Sequence, residues 1–413
     1  MAYLMIDPCG QYPAHLMPFL ARLGKGAVSV FSTDTRFLLW RDKWSKLLGR
    51  HVLDTYLAPQ RGGFAGLAAQ IKRRWPALEG VIPWDEQSIL LGAELGERLG
   101  LDWNPLRVIE RCRDKAVMKA WLRERGGVRI NAATVVNDAH EALVFQRELG
   151  RWPIVVKPTE GSGSENVFFP RGEGELLNDC QIVLESGAGE VLLEEYVSGK
   201  ELAVNGIVDE RSNLLVTDVW YYDRRSSHGV PNLYYLTHKV SSHEPIFAEV
   251  ARYAADVVER LELRRAPIHM EVKVDALGPC LIEVGARLAG GNLPLLGSRL
   301  HGRSLFELAA CHYLADLPLS GSDLDFEKYD RNTALLVHGV QPFEIRHIRA
   351  VHGVEQVESL PSFEGFGVLR PVGTRAPISR DLDSQAYEVY LIHPDPAQVA
   401  RDAEVVRRVL RYE

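Results

Sequence analysis

The sequence has no apolar run close to the roughly 20 residues that a helix needs to cross a bilayer. Its first residues predict no secretory signal, because they lack a basic segment and reach an acidic residue as early as Asp7. The five cysteines are scattered, and they form neither a C-x-x-C pair nor a zinc-ligand spacing. We therefore expect a soluble, cytoplasmic protein with reduced cysteines and no membrane partner.

Several motifs of common enzyme classes are also missing. The P-loop pattern G-x-x-x-x-G-K-[ST] occurs nowhere, and no G-x-G-x-x-G follows the first predicted strand, which argues against P-loop and dinucleotide-binding proteins. Neither G-x-S-x-G nor H-E-x-x-H is present, so serine-hydrolase and zinc-protease readings find no support. A net charge of −7 does not favour nucleic acid. Small molecules are the expected partners.

A chain of 413 residues is long enough for two to four lobes. Its first hundred residues alternate between short apolar runs and amphipathic segments. Strands are predicted at 3–6 and 27–31, and a further strand is predicted to end at residue 83. Helices are predicted at 15–23 and 88–99. This alternation predicts an open α/β lobe.

The most informative stretch is 268–292. Its first part alternates between apolar and polar residues, and a second short apolar run follows the Gly278-Pro279 turn. The two adjacent strands would each present a carboxylate, Glu271 and Glu283, with Arg287 just beyond the second strand. Paired carboxylates beside a cation are suited to Mg²⁺ that bridges phosphate oxygens.

Two lysines precede this stretch. Lys115 begins a predicted helix with Asp114 as its cap and Val117, Trp121 and Leu122 as its apolar face. From spacing alone Lys115 is as well explained as a solvated residue.

Lys157 ends a predicted strand and is followed by a Gly/Ser turn. The turn contains Gly161, Ser162, Gly163 and Ser164. Backbone N–H groups in such a turn are able to bind phosphate, with the lysine as a point charge. An ordinary hairpin with a glycine-rich tip is the alternative.

An acidic link follows between two apolar strands. It comprises Glu194, Glu195, Tyr196 and Val197, with Glu201 shortly afterwards. These acids suit an adenine- and ribose-binding hinge, but solvated charges on an edge strand explain them equally well. Further along, residues 220–231 form an aromatic and basic loop suited to facing a substrate. Within it His228 is either a base or a surface residue.

In order and spacing, these pieces resemble the ATP-grasp superfamily over residues 108–315. The resemblance implies that Lys115, Lys157 and the Gly/Ser turn contact the nucleotide phosphates. It also implies that residues 194–197 form the adenine hinge and that Glu201 binds the ribose. Glu271 and Glu283 would bind Mg²⁺, with Mn²⁺ as an alternative ion.

One departure concerns Gly285, because many ATP-grasp enzymes have asparagine two residues after the second metal glutamate. The Glu-Val-Gly-Ala-Arg form around it resembles the branch that contains L-amino acid ligases, which join a carboxylate to an amine. In that branch Glu283 and Arg287 would take part in catalysis, with Arg287 holding a carboxylate or acyl-phosphate oxygen. His269 and Asn292, together with His228, are candidate substrate contacts.

The resemblance implies an ATP-grasp fold, an α/β class with α+β lobes. We expect an N-terminal open α/β lobe at 1–108, an ATP-grasp domain at 109–320 with a lid at about 118–196, and a C-terminal lobe at 321–413. The expected function is ATP- and Mg²⁺-dependent ligation of small-molecule carboxylate and amine substrates. The alternatives are a carboxylase-type enzyme and a non-catalytic nucleotide-binding regulatory protein. We expect a homodimer, the commonest symmetric assembly.

Overall fold

The computed structural model describes residues 2–8, 12–32, 52–59, 63–83, 86, 88–161, 163, 165–313 and 324–413. The strands are β1 (Ala2–Ile6), β2 (Gly26–Phe31), β3 (Val52–Leu57), β4 (Leu78–Pro83), β5 (Ala133–Val136), β6 (Ile154–Pro158), β7 (Val191–Glu195), β8 (Lys200–Val208), β9 (Leu214–Ser227), β10 (Val230–Lys239), β11 (Ala266–Asp275), β12 (Gly278–Gly285), β13 (Thr333–His338), β14 (Val351–His352), β15 (Phe363–Leu369), β16 (Tyr387–His393) and β17 (Arg411–Tyr412).

The α-helices are α1 (Tyr12–Arg22), α2 (Phe64–Arg74), α3 (Ile89–Leu99), α4 (Leu106–Arg113), α5 (Lys115–Arg125), α6 (Glu141–Leu149), α7 (Glu173–Val183), α8 (Pro245–Leu261), α9 (Leu293–His301), α10 (Leu305–Tyr313), α11 (Phe326–Arg331), α12 (Val354–Glu358) and α13 (Pro396–Val409). Within the described ranges, none of them has the length and apolar character that a membrane crossing requires.

The N-terminal part contains a parallel four-stranded sheet in the order β3-β2-β1-β4. Every residue of β1 and β2 is buried, as expected for a parallel sheet whose faces are both covered. The open α/β arrangement predicted for this part of the chain is therefore observed.

A small antiparallel sheet stands apart from the others, in the order β5-β7-β6. It shares its own apolar core with α6 and α7, including Ile154, Leu176 and Leu193. It lies within the span predicted as a lid, and the lid assignment stays a prediction.

The main sheet has eight strands in the order β12-β11-β8-β9-β10-β13-β16-β15. Alternation along β11 buries Ile268, Met270 and Val272 in the large core that also contains α8, so the polar residues between them face the opposite side. The last three strands belong to the predicted C-terminal lobe, and the sheet therefore runs across the boundary predicted at residue 320. The predicted domain boundaries themselves stay predictions.

Candidate active site

Two clefts meet on the polar face of the main sheet. The first lies against the small sheet, and the second extends towards the C-terminal strands. Glu271 and Glu283 line both clefts and therefore stand at their border.

Glu271 and Glu283 are direct partners in the antiparallel ladder between β11 and β12. Side chains opposite each other in such a ladder leave the sheet on the same face, with Cβ atoms roughly 5 Å apart. The two adjacent carboxylates that the sequence alternation predicted are thus brought together.

Glu283 is held by the lysine at the start of α5. Its Oε2 is 3.1 Å from Nζ of Lys115, which also donates to the backbone oxygen of Gly161 at 3.2 Å. Burial acts to raise the pKa of Glu283, but the charges of Lys115, Lys157 and Arg287 outweigh it and lower the pKa to about 2. Glu283 is therefore an anion at any pH at which the protein would work.

A second ionic cluster includes Glu194 and Lys157 of the first cleft and the buried Lys119. Oε1 of Glu194 is 3.0 Å from Nζ of Lys157 and 3.3 Å from Nζ of Lys119, and its Oε2 accepts from Nδ2 of Asn131 at 3.2 Å. Burial opposes ionisation of Glu194, but both lysines favour it, and the pKa of Glu194 is lowered. With two lysines and one carboxylate, the cluster has a net positive charge that suits a phosphate chain.

The buried face of helix α5 differs from the predicted one, and this is why the burial of Lys119 was not predicted. Asp114 caps the helix as predicted, accepting from two backbone amides of the first turn. The predicted apolar face is wrong at Val117, which is 44% exposed. The buried residues of the helix are Lys115, Met118, Lys119 and Leu122. Both buried lysines are stable there because each reaches a carboxylate.

The predicted hinge and turn line the first cleft. Glu195, Tyr196 and Val197 follow Glu194 along its wall, and Tyr196 packs edge-to-face on Phe169 with ring centroids 5.9 Å apart. Gly161 and Gly163 of the turn lie on the same cleft, whereas Ser162 and Ser164 fall outside the described residues.

Glu201 also lines this cleft but is already paired. Its Oε1 is 2.5 Å from Nη2 of Arg224, and its Oε2 is 3.7 Å from Nζ of Lys273. Arg224 in turn lies over the ring of Tyr234 at 3.8 Å from the centroid. Nothing in the sequence around Glu201 indicates this arginine partner, because Arg224 comes from β9, more than 20 residues away. Ribose binding by Glu201 stays a prediction.

Arg287 lies in the second cleft, as predicted, beside an acid that the sequence did not reveal. Its Nε is 2.7 Å from Oε2 of Glu86, and its Nη1 donates to the backbone oxygen of Leu288 at 3.1 Å. Glu86 comes from the N-terminal lobe, about 200 residues upstream and without a motif around it. A Cβ atom on Gly285 would stand 2.7 Å from the same Oε2, so glycine leaves the room that Glu86 occupies.

The three candidate substrate contacts differ in position. His269 lines the second cleft, with Nδ1 2.8 Å from Oδ1 of Asn205 and Nε2 3.7 Å from Glu271. Asn292 does not line the cleft, but its amide donates to the hydroxyl of Tyr390.

The substrate role predicted for His228 has no support in this geometry. Its side chain is exposed at the β9–β10 turn, lines neither cleft, and places Nε2 2.8 Å from the backbone oxygen of Ser379. A role of His228 in substrate binding stays a prediction.

Mg²⁺ is compatible with these donors. In the part of the chain that the structure describes, no cluster of three or more His, Cys, Asp or Glu forms a complete metal cage. Mg²⁺ does not require one, because it commonly takes one or two carboxylates and completes its octahedron with phosphate oxygens and water. Glu271 and Glu283 supply such a pair at the mouth of the lysine-lined cleft.

Comparison with known proteins agrees with this geometry. Residues 150–294 match the family model described as an ATP-grasp domain. The structure of L-amino acid ligase from Bacillus licheniformis superposes with a TM-score of 0.75 at 18% identity, covering 100% of this chain and 98% of that one. Residues 150–294 are an ATP-grasp domain.

Two relatives in sequence are named after the joining of small molecules. Dapdiamide A synthase of Enterobacter agglomerans is 25% identical over 299 residues, which cover 70% of this chain and 68% of that protein. The L-arginine-specific L-amino acid ligase of Bacillus subtilis is 22% identical over 246 residues, 55% of each chain. The predicted ATP-grasp fold and the resemblance to the L-amino acid ligase branch are confirmed. The two relatives are named as a synthase and a ligase.

Proposed function

We propose that this ATP-grasp protein is an ATP- and Mg²⁺-dependent carboxylate–amine ligase that forms amide bonds on amino acids or similar small metabolites. The observation that carries the proposal is the position of Glu271 and Glu283 at the border of the two clefts. A triphosphate bound in the lysine-lined cleft would present its γ-phosphoryl group there, to an acid held in the other cleft.

Residues of the first cleft would hold the nucleotide. Lys115 and Lys157 supply positive charge for the phosphates, with Gly161 and Gly163 leaving room beside them. Lys119 is buried behind the cleft lining, in contact with Glu194, and adds to the positive potential. Backbone groups of residues 194–197 would bind the adenine. Mg²⁺ bound by Glu271 and Glu283 would supply charge neutralisation for phosphoryl transfer.

The reaction would take place in two steps in the second cleft. An oxygen of the substrate carboxylate attacks the γ-phosphorus, the bond to the β-phosphate oxygen breaks, and ADP and an acyl phosphate result. The amine nitrogen then attacks the acyl carbon and loses a proton, the carbon–oxygen bond to phosphate breaks, and an amide and inorganic phosphate result. Both steps balance without any further reactant.

Arg287 would hold the reacting carboxylate. It lines the second cleft next to Glu283, and a planar guanidinium binds a carboxylate through two parallel hydrogen bonds. Glu86, whose Oε2 is 2.7 Å from Nε of Arg287, would help to orient the guanidinium.

The test is release of ADP and phosphate by the purified protein across a matrix of amino acids, paired as acid and amine, with mass spectrometry of the products. Release that needs both substrates, yields an amide and stops when EDTA removes the metal supports the proposal. Bicarbonate-dependent release would instead indicate a carboxylase. ATP binding without turnover on any pair would indicate a regulatory protein.

A further inference from the structure

The C-terminal strands place a carboxylate in the wall of the second cleft. Alternation along β16 packs Tyr387, Val389 and Leu391 against the core shared with α13, so Glu388 and Tyr390 leave the strand on the other face. Glu388 is only 1% exposed and lines the second cleft.

Glu388 is held by hydrogen bonds from neutral groups. Its Oε1 accepts from the hydroxyl of Tyr390 at 2.7 Å, and its Oε2 accepts from Nε2 of Gln385 at 3.3 Å. Nδ1 of His338, its partner across the β13–β16 ladder, is 3.5 Å from Oε2.

His338 does not supply a positive charge. Its Nδ1 is 2.9 Å from Oε1 of Gln385 and its Nε2 is 2.8 Å from Oγ1 of Thr237, so one ring nitrogen donates and the other accepts. Burial lowers the pKa of His338 to about 4, which keeps the ring neutral at physiological pH. Of the residues that the structure describes, no lysine or arginine lies within ion-pair distance of Glu388.

The charges around the cleft are unequal. Its lining includes five carboxylates and one arginine: Glu86, Glu271, Glu283, Asp383, Glu388 and Arg287. Arg287 offsets Glu86, and the metal site would use Glu271 and Glu283. Asp383 and Glu388, both from the C-terminal lobe, are left to attract a positive charge.

A buried carboxylate without a cationic partner is unfavourable, and a cation from a ligand removes that penalty. We propose that Glu388 binds the cationic side chain of a substrate, an ammonium or a guanidinium, with Asp383 adding to the negative potential. The substrate class is therefore an amino acid with a basic side chain. This inference rests on the proposed ligase function.

The side chain, rather than the α-ammonium group, is the part that would reach Glu388. The reacting carboxylate has to lie beside Glu271 and Glu283, and the α-ammonium group of an amino acid is only two bonds from the carboxyl carbon. Glu388 stands on β16, which pairs with neither β11 nor β12, so a group that contacts it lies away from the two metal carboxylates.

The test compares pairs of ligands that are similar in shape and differ in charge. Binding of L-arginine and L-citrulline, and of L-lysine and L-norleucine, is measured by calorimetry with Mg²⁺ and a non-hydrolysable ATP analogue. We expect the wild-type protein to bind one cationic member at least about tenfold more tightly than its neutral counterpart. Glu388→Gln should reduce that preference to less than about threefold, mainly because the variant binds the cationic ligand more weakly. The exposed Glu358→Gln in the same lobe is the control and should keep the preference.

Three outcomes would overturn the inference. The wild-type protein could show no preference for either cationic ligand, or the preference could survive in Glu388→Gln. Alternatively, Glu388→Gln could bind the cationic and the neutral member of a pair more weakly by the same factor. The wild-type measurement decides without relying on the folding of a variant. Failure of the ligase proposal is distinguishable, because it would appear as charge-dependent binding without ADP release. Turnover restricted to neutral substrates would leave the ligase proposal standing and refute the role of Glu388.

Discussion

The carboxylate of Glu86 lies directly over Gly285, so that a Cβ atom at position 285 would stand 2.7 Å from Oε2. The same oxygen is 2.7 Å from Nε of Arg287. A side chain at position 285 would therefore displace the carboxylate that pairs with Arg287. Where many ATP-grasp enzymes place an asparagine, this chain has a contact from its N-terminal lobe.

Gly285→Ala should displace Glu86 and shift the guanidinium of Arg287. We expect KM for the carboxylate substrate to rise about tenfold, because the guanidinium is misplaced by a fraction of an ångström or more. ATP affinity should be unchanged. Steady-state kinetics checks both values. Gly66→Ala is the matched control, because a Cβ atom there meets nothing within 4 Å. Unchanged KM in Gly285→Ala would show that the ion pair does not position the substrate.

Glu283→Gln should abolish turnover while the protein stays folded. The substitution keeps the size of the side chain but removes the charge that Lys115 contacts at 3.1 Å and that would hold the metal. We expect kcat to fall by a factor on the order of 100 or more. Single-turnover kinetics and thermal melting are the measurements, with the exposed Glu124→Gln as control. Near-normal kcat in folded Glu283→Gln would remove this residue from the metal site.

Lys119→Met should destabilise the protein and weaken ATP binding. It leaves the buried Glu194 with Lys157 as its remaining lysine, and removing one member of a buried ionic cluster costs about 3 kcal/mol. Denaturant unfolding measures the loss. Adding Glu194→Gln to Lys119→Met should recover part of the stability, since no unbalanced anion remains. The exposed Lys72→Met is the control, and an equal effect there would contradict the role of the cluster.

The stability of Glu388→Gln relative to the wild type should depend on pH. Burial raises the pKa of Glu388 from 4.5 to about 7, with hydrogen bonds from Tyr390 and Gln385 opposing the shift. Between pH 4.5 and 7 the folded state keeps a proton that the unfolded state has lost, so this group lowers stability as pH rises through that window. Gln does not titrate.

The advantage of Glu388→Gln should therefore appear above about pH 4.5, grow to pH 7 and then level off, at a size on the order of 3 kcal/mol. Unfolding of both proteins from pH 4 to 8 measures it. His338 remains in both proteins, and its titration largely cancels in the difference. The control Glu358→Gln should differ from the wild type by the same amount at every pH. If the difference in stability between Glu388→Gln and the wild type did not change with pH, Glu388 would already be ionised at pH 4.5.

Local patterns in the sequence sufficed to place Glu271 and Glu283 on adjacent strands. They did not suffice for residues 220–231, which were expected as a loop and lie mostly in β9 and β10. Glu271 and Glu283 stand in short alternating or apolar runs, where a carboxylate is conspicuous and its face follows from the period of two. The burial of Lys119 was not predicted, because a lysine on a helix is ordinarily solvated. Only its contact with Glu194, which is distant in the sequence, makes its burial stable. Glu86 and Glu388 were not predicted as residues of the site for a related reason. Each reaches the second cleft from another lobe, and nothing near them in the sequence indicates their partners.

The ladder between β10 and β13 has a practical consequence for dividing the protein. Leu236, Thr237 and His238 pair with Val337, Leu336 and Leu335 in this ladder. A fragment that ends near residue 320 would leave the N–H and C=O groups of β10 unpaired along an apolar edge, which is a template for aggregation. Exchange of C-terminal lobes between relatives would face the same difficulty, because the graft would have to match the register of a strand that the other part supplies.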